Sequence, residues 1–237
     1  MADAPQIINS TGKPKVILRH DIDINLNKAV RLAAIDMESG VRACYMIMVN
    51  SPLYIVEGPE ARSRLKQIAR MGHEIALHFD FDRRDENTGK LPMEIVEDLI
   101  RKSCRRLEDA SGVAVRSISF HRPMPEFLGG PLIVAGRVNA YAKELMAWYL
   151  SDSKGAWREG EPLPKLFNPA GPLLQLLTHP IWWGETHQAA QDRLQVFYDE
   201  MTRNRPGEWS KTFDDSLAGH ITVQRRKRTI STKENSR

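Results

Sequence analysis

Asp21 and Asp23 stand two residues apart at the end of an apolar run, Lys15 to Asp23 (KVILRHDID). A second run, His73 to Asp80, ends in His78 and Asp80, with Asp82 just beyond. In an extended chain alternate residues share a face, so Asp21 and Asp23 point one way while His20 and Ile22 point the other. By the same count His78, Asp80 and Asp82 share a face opposite Ile75, Leu77, Phe79 and Phe81. Crowded carboxylates repel unless one is protonated or a cation lies between them. A divalent metal held by Asp oxygens and a His nitrogen resolves that crowding. Three more apolar runs end in polar groups: Ser119-Phe120-His121-Arg122-Pro123, Tyr149-Leu150-Ser151-Asp152-Ser153 and Thr178-His179-Pro180-Ile181-Trp182-Trp183. One such ending is commonly a solvated edge. Five in one chain point to a shared site.

Other chemistries find less support. Asp21-Ile22-Asp23-Ile24-Asn25 begins like a calcium loop, but its sixth position is Leu26 instead of Gly and its twelfth is Leu32 instead of Glu. His73 and His78 are five residues apart, not the four that place two ligands on one helix face. Gly129-Gly130 runs into Pro131 rather than into a phosphate-binding helix, and no G-x-S-x-G nucleophile elbow occurs.

The segments that must carry these residues alternate between strand-like and helix-like. Strands are expected at Lys15–Asp23, Val41–Val49, His73–Asp80 and Val115–Phe120, with two later ones at Ala147–Leu150 and Leu173–Thr178 across a Gly/Pro-rich loop. Helices are expected at Leu26–Ser39 behind an Asn25 cap, Pro59–Met71 before Gly72, Leu91–Ser111 before Gly112, and Thr186–Arg203. This alternation implies an α/β fold with a parallel sheet and crossover helices, either an open sheet or a (β/α) barrel. In such folds sites form at the C-terminal ends of the strands.

The 237 residues suit one large domain, and 41% hydrophobic with 27% charged residues excludes disordered and collagenous classes. The expected organisation is an N-terminal arm at 1–14, a single barrel domain at 15–224 and a basic tail at 225–237. The net charge of +4 is local: the tail holds six Lys/Arg and one Glu, leaving 28 basic and 29 acidic side chains in the body. The body therefore lacks the footprint of a nucleic-acid binder. The longest apolar run, Ala43 to Val49, is too short for a transmembrane segment. No basic region followed by an apolar stretch opens the chain, so a cytoplasmic location with Cys44 and Cys104 as buried free thiols is the expectation.

Taken in order, R-H-D-I-D at 19–23, G-H-E-I-A-L-H-F-D at 72–80, F-H-R-P at 120–123, L-S-D-S at 150–153 and L-T-H-P at 177–180 resemble the polysaccharide deacetylase superfamily. This is the NodB-homology group, carbohydrate esterase family 4. The closer likeness is to its branch with R-H-D-x-D and H-R-P motifs in surface-polysaccharide and O-antigen biosynthesis. The resemblance covers about Val16 to Trp183. It implies a distorted (β/α)7-8 barrel of the NodB polysaccharide deacetylase type and a metal-dependent hydrolase that removes an N-acetyl or other acyl group from a sugar or glycan. Asp21 resembles the general base, His179 the general acid and Arg122 the arginine that orients the base, with Asp152 grouped among the catalytic residues. Asp23 and His78 resemble metal ligands. Asp82 stands where the family has its second ligand histidine, and Asp80, on the strand face of His78 and part of this branch's L-H-[FY]-D pattern, completes the set in preference to it. His121, Trp182 and Trp183 are read as substrate-binding, with Trp157 a further stacking face. The implied cofactor is a divalent metal, zinc first, with manganese, iron or cobalt competing. The implied partner is an N-acylated sugar, a nucleotide-sugar or a lipid-linked glycan. Alternatives are a hydrolase of a non-sugar amide or cyclic imide, and a catalytically silent scaffold of a glycan-assembly complex.

Overall fold

The computed structural model describes residues 15–81, 91–157, 159–167 and 170–204. The expected arm and tail, and Asp82, lie outside the described residues. The chain divides into two compact units, Met1–Pro180 and Ile181–Arg237, a boundary inside the span read as one domain.

The first unit carries eight strands: β1 (Lys15–Ile22), β2 (Cys44–Ile47), β3 (Glu74–Phe79), β4 (Ser117–Phe120), β5 (Ile133–Val134), β6 (Arg137–Asn139), β7 (Tyr149–Ser151) and β8 (Leu173–Thr178). Its helices are α1 (Leu26–Glu38), α2 (Pro59–Arg70), α3 (Met93–Ser111) and the short α4 (Pro162–Phe167). The second unit contributes α5 (Ala190–Asn204). Asn25 caps α1, its side-chain oxygen accepting from the N–H groups of Asn27 (2.8 Å) and Lys28 (3.2 Å). Pro59 opens α2, and Gly112 closes α3 at φ 77°, a left-handed conformation that costs glycine little.

The strands form one sheet in the order β5-β6-β4-β3-β2-β1-β8-β7, parallel throughout except for the β5–β6 hairpin. This is the β/α succession of a distorted barrel, and among the described residues its hydrogen bonding stays open between β5 and β7. Two expectations from sequence fell short. The hairpin was not anticipated because its turn is Ala135-Gly136, both at positive φ (50° and 75°), rather than the Asn-Gly or Asp-Gly pair that announces such turns. The last helix begins at Ala190 instead of Thr186, the Ala189 carbonyl being the acceptor for Asp192 and Arg193.

Alternation divides the sheet into two faces. Ile22, Tyr45, Ile47, Ile75, Leu77, Ile118 and Phe120 pack with Ala29, Ala33, Leu65, Ile68, Ile100 and Leu107 from the helices in the main core. The opposite face is polar towards the strand ends. Parallel register aligns Asp21 with Met46 and Met46 with Ala76, so that residues two positions further along, Asp23 and His78, come level with one another.

On the helix side, one buried polar cluster ties β1 to α1. His20 meets Thr178 Oγ1 through Nδ1 (2.6 Å) and Asp36 Oδ2 through Nε2 (3.0 Å), and the Tyr45 hydroxyl donates to the same carboxylate (2.6 Å). Burial, the largest influence, pushes the Asp36 carboxyl up, but His20 and Tyr45 outweigh it and hold the carboxyl below its usual range. A carboxyl depressed in the folded state stabilises above its unfolded pKa, near 4, and loses that contribution as pH falls through the lower folded value. Asp36→Asn is therefore expected to cost about 1–3 kcal/mol in urea unfolding at pH 7. The gap from the unsubstituted protein should narrow as pH falls below about 4.

Both cysteines are free and buried, and burial raises their thiols, that of Cys104 to about 11. Neither is poised as a thiolate nucleophile.

Candidate metal centre

The site forms where β1, β3, β4, β7 and β8 end. Asp23 follows β1, which stops at Ile22, while His78 is the penultimate residue of β3. His78 Nε2 lies 3.1 Å from Asp23 Oδ1 and 3.6 Å from Asp21 Oδ2. Its other nitrogen, Nδ1, is 2.6 Å from the Ser119 hydroxyl, directly across the β3–β4 register. With Nδ1–H donating to that hydroxyl, the Nε2 lone pair is directed into the site, the arrangement by which metal-ligating histidines are oriented.

His121 completes the group. Its backbone N–H donates to the Phe79 carbonyl (2.9 Å), extending the β3–β4 ladder one step beyond the regular strands. Residues 119 and 121 share a strand face, so the His121 ring arrives beside that of His78, edge to face at 5.5 Å. His121 Nδ1 is 3.6 Å from Asp23 Oδ1. One donor atom each from Asp23, His78 and His121 lies within 4.8 Å of the other two. Asp23 Oδ1 is buried and makes no hydrogen bond, although two imidazole nitrogens face it. An orphaned anionic oxygen opposite two ring nitrogens fits a tetrahedral or open divalent-cation site of the N₂O type.

Asp80, expected as the third ligand, is placed differently. β3 ends at Phe79, so strand alternation does not extend to residue 80. The Asp80 carboxylate accepts from Arg122 Nε (3.1 Å) and Nη2 (2.9 Å), and its backbone carbonyl accepts from Asn50 Nδ2 (3.2 Å). It is not among the converging donors; His121, expected to contact substrate, is. Arg122 is thereby paired with Asp80 and not with Asp21. The cation on Asp21 is Arg19, which contacts both carboxylate oxygens at 2.8 and 2.7 Å.

His179 follows β8 beside Asp21's strand, whose His20 is in register with Thr178. Asp152 follows β7, and its carboxylate accepts from the His179 backbone N–H (2.9 and 3.1 Å) and lies 2.7 Å from the ring Nδ1. The free edge of the ring, Nε2, turns towards Asp23 Oδ2 at 3.8 Å. Trp157 is half-buried in a small cluster with Trp148, Leu150 and Leu174. Trp182 and Trp183 belong to the second unit, the former half-buried and the latter exposed.

Electrostatics follow from this crowding. Burial is the largest influence on each of the four shifted groups and opposes its charged form. For Asp21 the Arg19 guanidinium, with His78 and His179, prevails and lowers the carboxyl. For Asp23 the flanking His121 and His78 hold the carboxyl well below its usual range. His121 and His179 are both raised, the first by Asp23 and the second by Asp152 with Asp23 and Asp21. A cavity of about 520 Å³ lies away from these residues, lined by Met146–Leu150, Glu159, Lys165 and Ala170.

No protein-family model matches the sequence, and no curated protein matches it. Among solved structures, 86% of this chain overlays 66% of a family 4 pseudoenzyme from Bacillus anthracis, at 15% identity and a TM-score of 0.46. It thus spans about two thirds of that protein's length. A family 4 carbohydrate esterase from Streptomyces lividans in complex with acetate overlays at 13% identity and a TM-score of 0.45, covering 81% of this chain and 91% of its own. A family 4 acetyl xylan esterase from Clostridium thermocellum in complex with a cobalt ion gives 11% identity and 0.40, covering 80% and 84% respectively. Overlaps of this depth assign neither an activity nor a substrate.

Proposed function

We propose that the chain is a metal-dependent hydrolase that removes an N-acetyl or other acyl group from a sugar or glycan. The observation that carries this reading is the convergence of Asp23, His78 and His121, with Asp21 on one side and His179 on the other. Asp23, His78 and His121 would hold the cation, and two nitrogens with one carboxylate suit zinc over harder ions. When bound there, a divalent cation supplies a Lewis acid for the acyl carbonyl and for the attacking water. Asp21, ionised beside Arg19, accepts the proton of that water. Protonated His179, held by Asp152, donates a proton to the departing amine nitrogen as the C–N bond breaks. A C–O bond forms in its place, and the products are a free carboxylic acid and an amine. The expected substrate is an intermediate of bacterial surface-polysaccharide assembly, either a nucleotide-sugar or a lipid-linked glycan.

The test is acetate release from a panel of N-acetylated sugars and nucleotide-sugars, before and after chelation. Dipicolinate is expected to abolish release, and zinc to restore it ahead of manganese, iron or cobalt. Zinc at a hundred times its dissociation constant should also stabilise the fold by about 2.7 kcal/mol, read as a rise in melting temperature. Zinc binding with no release from any substrate would defeat the hydrolase reading.

A further inference from the structure

We infer that Arg19 is the positioning residue for Asp21, the place that family resemblance gives to Arg122; the inference rests on the hydrolase reading. Arg19 has no exposed surface. Its Nε and Nη2 engage the two oxygens of Asp21, forming a planar fork whose bonds both break if the carboxylate turns. The guanidinium is itself immobilised. Nη2 also reaches the Tyr141 hydroxyl (3.2 Å), Nη1 reaches Gln175 Oε1 (3.4 Å), and the guanidinium carbon stacks 4.6 Å from the centre of the Tyr141 ring. The Gln175 amide cannot flip, because its Nε2 donates to the carbonyls of Ala140 (2.9 Å) and Leu145 (3.2 Å). Two strands, β1 and β8, and the segment after β6 thus converge on one buried cation, whose charged partner is the base.

Stability alone gives a poor account of this arrangement. Burying a whole guanidinium is costly, and apolar residues of similar volume commonly serve a core as well or better. A base, however, gains from being fixed in one plane: a misplacement of about 1 Å can cost a reaction about a hundredfold. Arg122 supplies no such constraint. Its side chain is 58% exposed, and both of its short contacts go to one oxygen of Asp80.

The experiment compares Arg19→Lys and Arg122→Gln in the zinc-loaded full chain, with kcat, KM and zinc affinity measured separately. Arg19→Lys keeps the charge and loses the fork. It is expected to lower kcat about a hundredfold, with KM and zinc affinity within about twofold of the unsubstituted protein. Arg122→Gln is expected to lower kcat at least tenfold less. A larger kcat loss in Arg122→Gln than in Arg19→Lys overturns the inference, and so does a loss in Arg19→Lys confined to KM or zinc affinity. Should Arg19→Lys fail to fold, Tyr141→Phe takes its place. It keeps the ring and removes one bond to the guanidinium, so kcat should fall several-fold at unchanged KM, and an unchanged kcat overturns the inference. Failure of the hydrolase reading is recognised separately, by the unsubstituted protein binding zinc without releasing acetate. The inference then stands or falls on crystals: in Arg19→Lys, or in Tyr141→Phe if the lysine variant does not fold, the Asp21 carboxylate should turn about χ2 from its original plane. An unmoved carboxylate overturns it.

Discussion

Asp23→Asn is expected to release the zinc and, with it, acetate-releasing activity. The substitution keeps the shape of the side chain but removes the anionic oxygen that lies 3.1 Å from His78 and 3.6 Å from His121 without a hydrogen bond of its own. Loss of a residue that merely orients a ligand typically costs about 10–100-fold in metal affinity, so loss of the only carboxylate in the donor set among the described residues should cost more. His78→Ala and His121→Ala should behave alike. Asp80→Asn, whose carboxylate is engaged by Arg122, should keep its zinc. Metal content after dialysis, together with melting temperature with and without added zinc, reads all four variants. Retention of a full equivalent by Asp23→Asn, or its loss in Asp80→Asn, would contradict the donor set.

The second large effect is expected from Asp152→Asn. Its carboxylate is the partner of His179 Nδ1 at 2.7 Å and accepts the backbone N–H of the same residue. It therefore orients the ring and presents Nε2 to the site, while its charge favours the imidazolium. Burial, the strongest influence on His179, works against the imidazolium, yet Asp152, Asp23 and Asp21 together raise its pKa. A general acid must be protonated, so activity is present below the raised pKa and is lost as pH climbs through it. Removing the Asp152 charge lowers that pKa, and the alkaline limb of kcat/KM should move to lower pH. The maximum should fall by about 10²–10⁴-fold, the usual contribution of a positioned proton donor. The asparagine amide also no longer enforces one ring tautomer. An alkaline limb that stays in place, with an undiminished maximum, would remove His179 from the role of proton donor.

These effects depend on residues that the chain order keeps far apart, and the two levels of organisation contributed differently. Most strand and helix positions were legible because they follow local periodicity and local punctuation: Asn25 before α1, Pro59 in α2 and Gly112 after α3. The hairpin of β5 and β6 was not, since Ala135 hides a turn that only its backbone angles reveal.

The strand ends were legible too, because an apolar run breaking into acids and imidazoles is visible in one dimension. Which of those groups meet was not. Counting by twos along β3 pairs Asp80 with His78, but the strand stops at Phe79 and the count stops with it. His121 reaches His78 because Ser119 lies opposite His78 in the β3–β4 register, a relation between segments some forty residues apart. The resemblance gave the hold on Asp21 to Arg122, and nothing in the sequence singled out Arg19 for it. The enclosure of Arg19 by Tyr141 and Gln175, and the distance of 2.9 Å from Arg122 to Asp80, separate them. Sequence by itself determined which residues stand at the mouth of the sheet, because hydrophobic patterning sets where each strand lies and which way its side chains alternate. Tertiary structure alone decided their partners, because hydrogen-bond register and the points where strands end are properties of pairs of segments, and no single segment encodes them.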